Sequence, residues 1–242
     1  MEQLFRLNGV SIDLDHLMQL FPTGVETIKK IEDNYYLRFE PWTATKNNTE
    51  ALNFARRALA RLNGVAMIEQ ESFRPVEIVG ITDRDAATGK LATRVELGVL
   101  SAVSRSHASI KLTLVREDGT TVTTAAAPLT FGKDVSALMK ANDRLERALE
   151  AFGSHNEQSW SVLYLVYDAI QGHFGGENKL KKQNFVTPGE IKKFKATAQS
   201  FDALGVEARH ANHPGVPEAQ IKLNEARQLI RKLLDSWIKQ LL

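Results

Sequence analysis

Apolar residues in the first half of the chain come in short alternating bursts, whereas in the second half they recur every three or four positions. Alternation marks a strand with one buried face, and the longer period marks a helix with one apolar stripe. Asn8-Gly9 separates the alternating segments 3–7 and 10–12 and predicts a tight hairpin, because both central positions of such a turn favour a left-handed backbone. Leu14, Leu17, Met18 and Phe21 follow at helical spacing until Pro22 and Gly24 stop the run. Residues 25–40 predict a second hairpin turning at Glu32-Asp33-Asn34. From Asn48 or Thr49, either a suitable cap, Leu52, Ala55, Leu59 and Leu62 predict a helix that Gly64 ends. Segments 65–71, 75–82 and 91–103 are rich in β-branched residues and predict strands. A further hairpin joins 110–115 to 120–124 around Asp118-Gly119.

Beyond Pro128 and Gly132 the period is helical. Val135, Leu138, Leu145, Leu149 and Phe152 form one stripe. Trp160, Leu163, Tyr164, Tyr167 and Ile170 form another, closed by Gly172, Gly175 and Gly176. Thr187-Pro188-Gly189-Glu190 has the order of a capping box with proline at the first helical position, and Ile191, Phe194, Phe201 and Leu204 follow as its inner face. A last helix starts near Asn224 and buries Ala226, Leu229, Ile230, Leu233, Trp237 and Leu241. The pattern predicts an α+β protein. An antiparallel strand-rich domain with one or two helices spans 1–130, a linker helix spans 131–157, and a helical bundle spans 158–242.

Composition narrows the chemistry. With 242 residues, 43% of them hydrophobic, there is ample material for a core. The absence of cysteine excludes disulfides, thiolate zinc sites and thiol nucleophiles. A net charge of +2 gives no global attraction to nucleic acid or membrane, so any such attraction must be local. No segment has the apolar length of a membrane span and the first residues lack the layout of a secretion signal, which predicts a cytoplasmic protein without membrane association.

The most chemically loaded stretch is Glu207-Ala208-Arg209-His210-Ala211-Asn212-His213-Pro214-Gly215. One arginine and two histidines fall at the end of a helix that Pro214 forbids to continue, where side chains can converge on a ligand. A guanidinium can hold a phosphodiester with paired hydrogen bonds, and an imidazole titrating near neutrality can carry a proton to or from a hydroxyl. The ordinary alternative is that Arg209 pairs with Glu207 or with another helix while the histidines cap helix ends. Lys179, Lys181, Lys182, Lys192, Lys193 and Lys195 lie within seventeen residues containing a single acid, Glu190. They could follow an RNA backbone or simply solvate a helix face, and nearness to Arg209 would decide between the two.

This layout resembles the last two helices of HEPN-domain proteins, the small helical bundles of prokaryotic toxins, abortive-infection proteins and CRISPR-associated ribonucleases. The resemblance is carried by a helix, Arg209 followed by His210, His213, a Pro/Gly loop, and an amphipathic helix beginning Asn224-Glu225-Ala226. It spans at most residues 158–242. The family motif places four to six residues between its arginine and histidine, whereas three separate Arg209 from His213, so a non-catalytic domain of this kind stays open. The resemblance implies metal-independent cleavage of RNA in a homodimer or with a partner protein. Arg209 would stabilise charge, His213 would move protons, His210 would be the polar partner, and no cofactor would be needed. The rival expectation is a non-enzymatic interaction or dimerisation module that binds a protein or small ligand through its N-terminal domain.

Other constellations have plainer explanations. Glu207, His210 and His213 are three apart, a spacing that drifts around a helix and does not match a two-histidine metal helix. Asp85-Ala86-Ala87-Thr88-Gly89-Lys90 lacks the first glycine and final hydroxyl residue of a phosphate loop and predicts a hairpin loop. Ser101, Ser104 and Ser106 near His107 lack a nucleophile-elbow pattern. The stripe of Trp160, Tyr164 and Tyr167 predicts core packing with tyrosine hydroxyls at the rim, and a lone His173 predicts an exposed side chain.

Overall fold

The computed structural model describes residues 1–40, 47–97, 130–154, 159–209 and 215–242, together with the backbone of 113–115 and 121–123. Strands β1 (Glu2–Asn8), β2 (Glu26–Ile31), β3 (Asn34–Phe39), β4 (Glu77–Arg84) and β5 (Leu91–Glu96) form an antiparallel sheet in the order β2-β3-β1-β4-β5. Its register puts Ile28, Leu37, Phe5, Ile81 and Val95 side by side across all five strands. That row forms the floor of the core on one face, as expected where successive side chains alternate between faces. Strands β6 (Thr113–Val115) and β7 (Thr121–Thr123) make the separate hairpin expected there; its turn lies outside the described residues, as do 98–103.

Among the described residues the helices are α1 (Ser11–Leu20), α2 (Asn48–Glu69), α3 (Phe131–Ala141), α4 (Asp143–Phe152), α5 (Trp160–His173), α6 (Glu177–Lys181), α7 (Pro188–Gln199), α8 (Phe201–Leu204) and α9 (Leu223–Leu241). The architecture is therefore α+β, with the sheet in the N-terminal part and most helices in the C-terminal part. Helix α2 contacts β4, α4 and α9, and buried apolar residues from sheet and helices join in one contiguous cluster.

Local expectations fail where tertiary contacts overrule them. Asn8-Gly9 does not turn a hairpin: the chain passes from β1 into α1, and β1 pairs instead with β3 and β4. Gly64 does not end α2. The helix runs through 65–69, predicted as a strand, because Gly64 lets α4 approach closely. A Cβ there would lie 2.3 Å from the Leu149 carbonyl oxygen, and one at Gly153 would lie 2.0 Å from that of Ala60. The β-branched residues of 65–69 are drawn into helix by burial between sheet and bundle, which outweighs their propensity. Arg231 of α9 then donates to the terminal carbonyls of Met67 and Ile68 at 2.9 and 2.8 Å and caps α2 from outside. Asn47, rather than Asn48 or Thr49, caps its start by accepting from the amides of Thr49 and Glu50.

In the C-terminal part the capping box at Thr187 and Glu190 is present. Ser200 interrupts the helix it opens, so Phe201 belongs to the separate turn α8 and is 42% exposed instead of lining the inner face. Lys222, not Asn224, holds the cap position of α9, and its amide donates to Glu225.

Candidate functional site

Arg209 reaches its position through a sequence of local turns. Ser200 ends α7 and caps α8 by accepting from the Ala203 amide at 3.1 Å. Gly205, at φ 58 and ψ −131, reverses the chain in a region that side chains disfavour. A single 3-10 turn, Gly205–Glu207, and an extended Ala208 return the chain over α7. The Arg209 amide there donates to the Ala198 carbonyl at 3.0 Å, filling an open acceptor at the helix end.

The side chain crosses to α5. Its Nη1 pairs with the Asp168 carboxylate, and its Cζ lies 4.3 Å from the Tyr164 ring centroid. Tyr164 and Asp168 are one helical turn apart and so share a face. The tyrosine ring is stacked on Phe194 at 6.0 Å and 21°, and its hydroxyl accepts from Gln199 Nε2 at 2.8 Å. The guanidinium thus rests on a fixed aromatic platform. Asp168 and Tyr164 raise its already high pKa, so Arg209 is a permanent cation, with 40% of its side chain exposed.

Gln199 also borders a shallow pocket of about 450 Å³ between α6 and α7, where Lys181, Lys192, Lys195 and Glu177 surround apolar Pro188 and Ala196. Glu177 pairs with Lys181 at 2.6 Å and with Lys195. Burial pushes its carboxyl up, but the two lysines outweigh burial and hold it below the usual value. Among the described residues, Lys192 has no ion-pair partner. Lys182 and Lys193 are exposed and do not border the pocket. Of the six lysines that could follow an RNA backbone, Lys181, Lys192 and Lys195 therefore share this pocket and Lys179, Lys182 and Lys193 do not line it; the pocket is linked to Arg209 only through the bond from Gln199 to Tyr164. His210 and His213 lie outside the described residues, as do Ser101, Ser104, Ser106 and His107.

Tyr167 departs from the expected rim position. It is 0% exposed; burial first, and the facing Glu177 carboxylate second, push its hydroxyl far above the ordinary tyrosine pKa. His173 is half-buried against Trp237, with ring centroids 4.7 Å apart, and burial and Arg144 lower its pKa. The residues that sequence reasoning missed are Asp168, Gln199 and Glu177. Asp168 follows Tyr164 by four positions within an apolar stripe, and spacing alone does not show what crosses above that stripe.

Elsewhere the loop from Asp85 to Lys90 is a hairpin connection as expected, its Asp85 carboxylate accepting from the Ala87 and Thr88 amides. A second pocket, about 310 Å³, lies beside α2 and Gly153. Its one buried polar side chain, Asn63, is already bonded to Val76 and Gly153. Among the described residues no three His, Asp or Glu side chains are grouped to hold a metal ion, and no helix is long and apolar enough to cross a membrane. No family model, curated protein or solved structure matches the chain.

Proposed function

We propose that the helical half binds RNA and cleaves it without a metal, as a HEPN-like ribonuclease acting in the cytoplasm, in prokaryotic defence, as a homodimer. The observation that carries this reading is Arg209, a permanent and partly exposed cation lying on Tyr164, whose hydroxyl is bonded to Gln199 at the edge of a lysine-bordered pocket. In the proposed reaction the ribose 2′-oxygen attacks the adjacent phosphorus as the bond to the 5′-oxygen breaks, leaving a cyclic phosphate. Arg209 stabilises the charge that grows on the non-bridging oxygens. His213 exchanges the proton lost by the 2′-hydroxyl and gained by the leaving oxygen, with His210 as its polar partner. Lys181, Lys192 and Lys195 attract the backbone from the adjoining pocket, and Lys182 and Lys193 extend the field around it.

The ion pair between Arg209 and Asp168 favours a second reading. In that reading the arginine braces α7 against α5, and the protein is a non-catalytic module whose partner binds elsewhere, including on the sheet domain. Incubating mixed RNA with wild type, Arg209→Ala and His213→Ala, purified in parallel, separates the two. The ribonuclease reading expects cyclic-phosphate ends from wild type and at least about a hundredfold less from each variant. Equal cleavage by all three, or none by any, leaves the module.

A further inference from the structure

The cations of this face differ in how they are held. Glu177 is enclosed by Lys181 and Lys195 and faces the buried Tyr167 hydroxyl. Asp168 has a single cationic partner among the described ion pairs, Arg209, and 36% of its side chain is exposed. Arg209 has two further supports besides that carboxylate. Its amide is bonded to Ala198, and its guanidinium lies on a ring pinned by Gln199 and Phe194. If Asp168 lets go, both supports remain. Carboxylate and phosphate present the same type of charged acceptor to a guanidinium. Exposed ion pairs are weak and screened by salt, so exchange of one anion for the other costs little.

We propose that the place Asp168 occupies is a phosphate-binding position, with the carboxylate as its built-in occupant and an RNA phosphodiester as the ligand that displaces it. Asp168 then sets the threshold for RNA binding, and its negative charge also rejects phosphates that Lys192 and Lys195 do not help to hold. This inference rests on the RNA reading above, but it concerns binding and is separable from cleavage.

The probe is a short single-stranded 2′-O-methyl RNA, which cannot be cleaved by 2′-oxygen attack, titrated into the full chain at fixed salt. Asp168→Asn keeps the shape and removes the charge, and should bind about five- to tenfold tighter than wild type. Asp168→Glu should stay close to wild type. Arg209→Ala combined with Asp168→Asn should lose most of the gain. In the unmutated protein, the Arg209 Nε–H resonance should shift as the oligonucleotide is added, a readout that does not depend on any variant folding. Unchanged or weaker binding by Asp168→Asn at an unchanged melting temperature overturns the proposal. So does a gain that survives loss of Arg209, an Arg209 resonance that does not move, or failure of both wild type and Asp168→Asn to bind. Wild type that binds the probe but never cleaves ordinary RNA ends the catalytic reading and leaves this one standing.

Discussion

Two arginines show how differently the molecule uses the same side chain. Arg61, in the middle of α2, is only 13% exposed and meets Glu26 of the sheet at 2.8 Å and Glu146 and Glu150 of α4 at 3.2 and 3.5 Å. Arg209, after the turn that follows α8, is 40% exposed and among the described residues meets one carboxylate, Asp168. The first ties three elements together, and losing it would leave carboxylates crowded without a counter-charge. The second has, besides its carboxylate, a backbone bond and an aromatic ring to hold it, so its position has supports that an exchange of anions would leave in place. Burial and the number of partners, not residue type, separate the structural arginine from the candidate functional one.

The largest expected effect probes the seam that Arg61 crosses. Gly64→Val or Gly153→Val forces a side chain into backbone 2.3 or 2.0 Å away, and should cost more than about 3 kcal/mol in urea unfolding. A near-native midpoint would show that α4 does not sit so closely on α2. Arg61→Met should cost about 2–4 kcal/mol by the same measurement, because it leaves its three carboxylates uncompensated. Asn63→Ala, which strands the Val76 amide, should cost about 1–3 kcal/mol. Arg209→Ala should cost less than about 1 kcal/mol. If it destabilised as much as Arg61→Met, the contrast would collapse and Arg209 would be a brace.

The smallest expected effect is on pH dependence. Burial lowers the pKa of His16, outweighing the Glu69 and Asp13 carboxylates that raise it; burial and then Arg144 lower that of His173. A base with a depressed pKa in the folded state takes up protons first in the unfolded chain. Its contribution is therefore full above the ordinary value of 6.5 and declines as pH falls through it, levelling off below the folded value. The urea midpoint should be lower at pH 5.5 than at pH 7.5, and His16→Gln should narrow the gap. A midpoint that rises on acidification would mean that Glu69 dominates His16.

Much of the fold was legible from periodicity. The turn at Glu32-Asp33, with Asn34 already in β3, the strand that became β4, the capping box at Thr187 and the stripes of α5 and α9 are all set by nearby residues. The errors at Gly9, Gly64 and Phe201 share a cause. A glycine or an apolar residue reads the same whether it marks a turn, a close helix crossing or an exposed corner, and the neighbour that decides is distant in sequence. The candidate site divides likewise. Arg209 and the lysines stood out as residue types, whereas Asp168, Gln199 and Glu177 acquired meaning only when α5, α6 and α7 came together.

By itself, the order of residues determined which segments favour strand or helix and which side chains could meet a phosphate, because propensity, capping and charge act over a few positions. The packed structure alone decided that α2 runs past Gly64 and that Arg209 lies on Tyr164 with Asp168 as its partner. Burial and ion pairing depend on elements brought together from dozens of residues apart, and no local pattern encodes that distance.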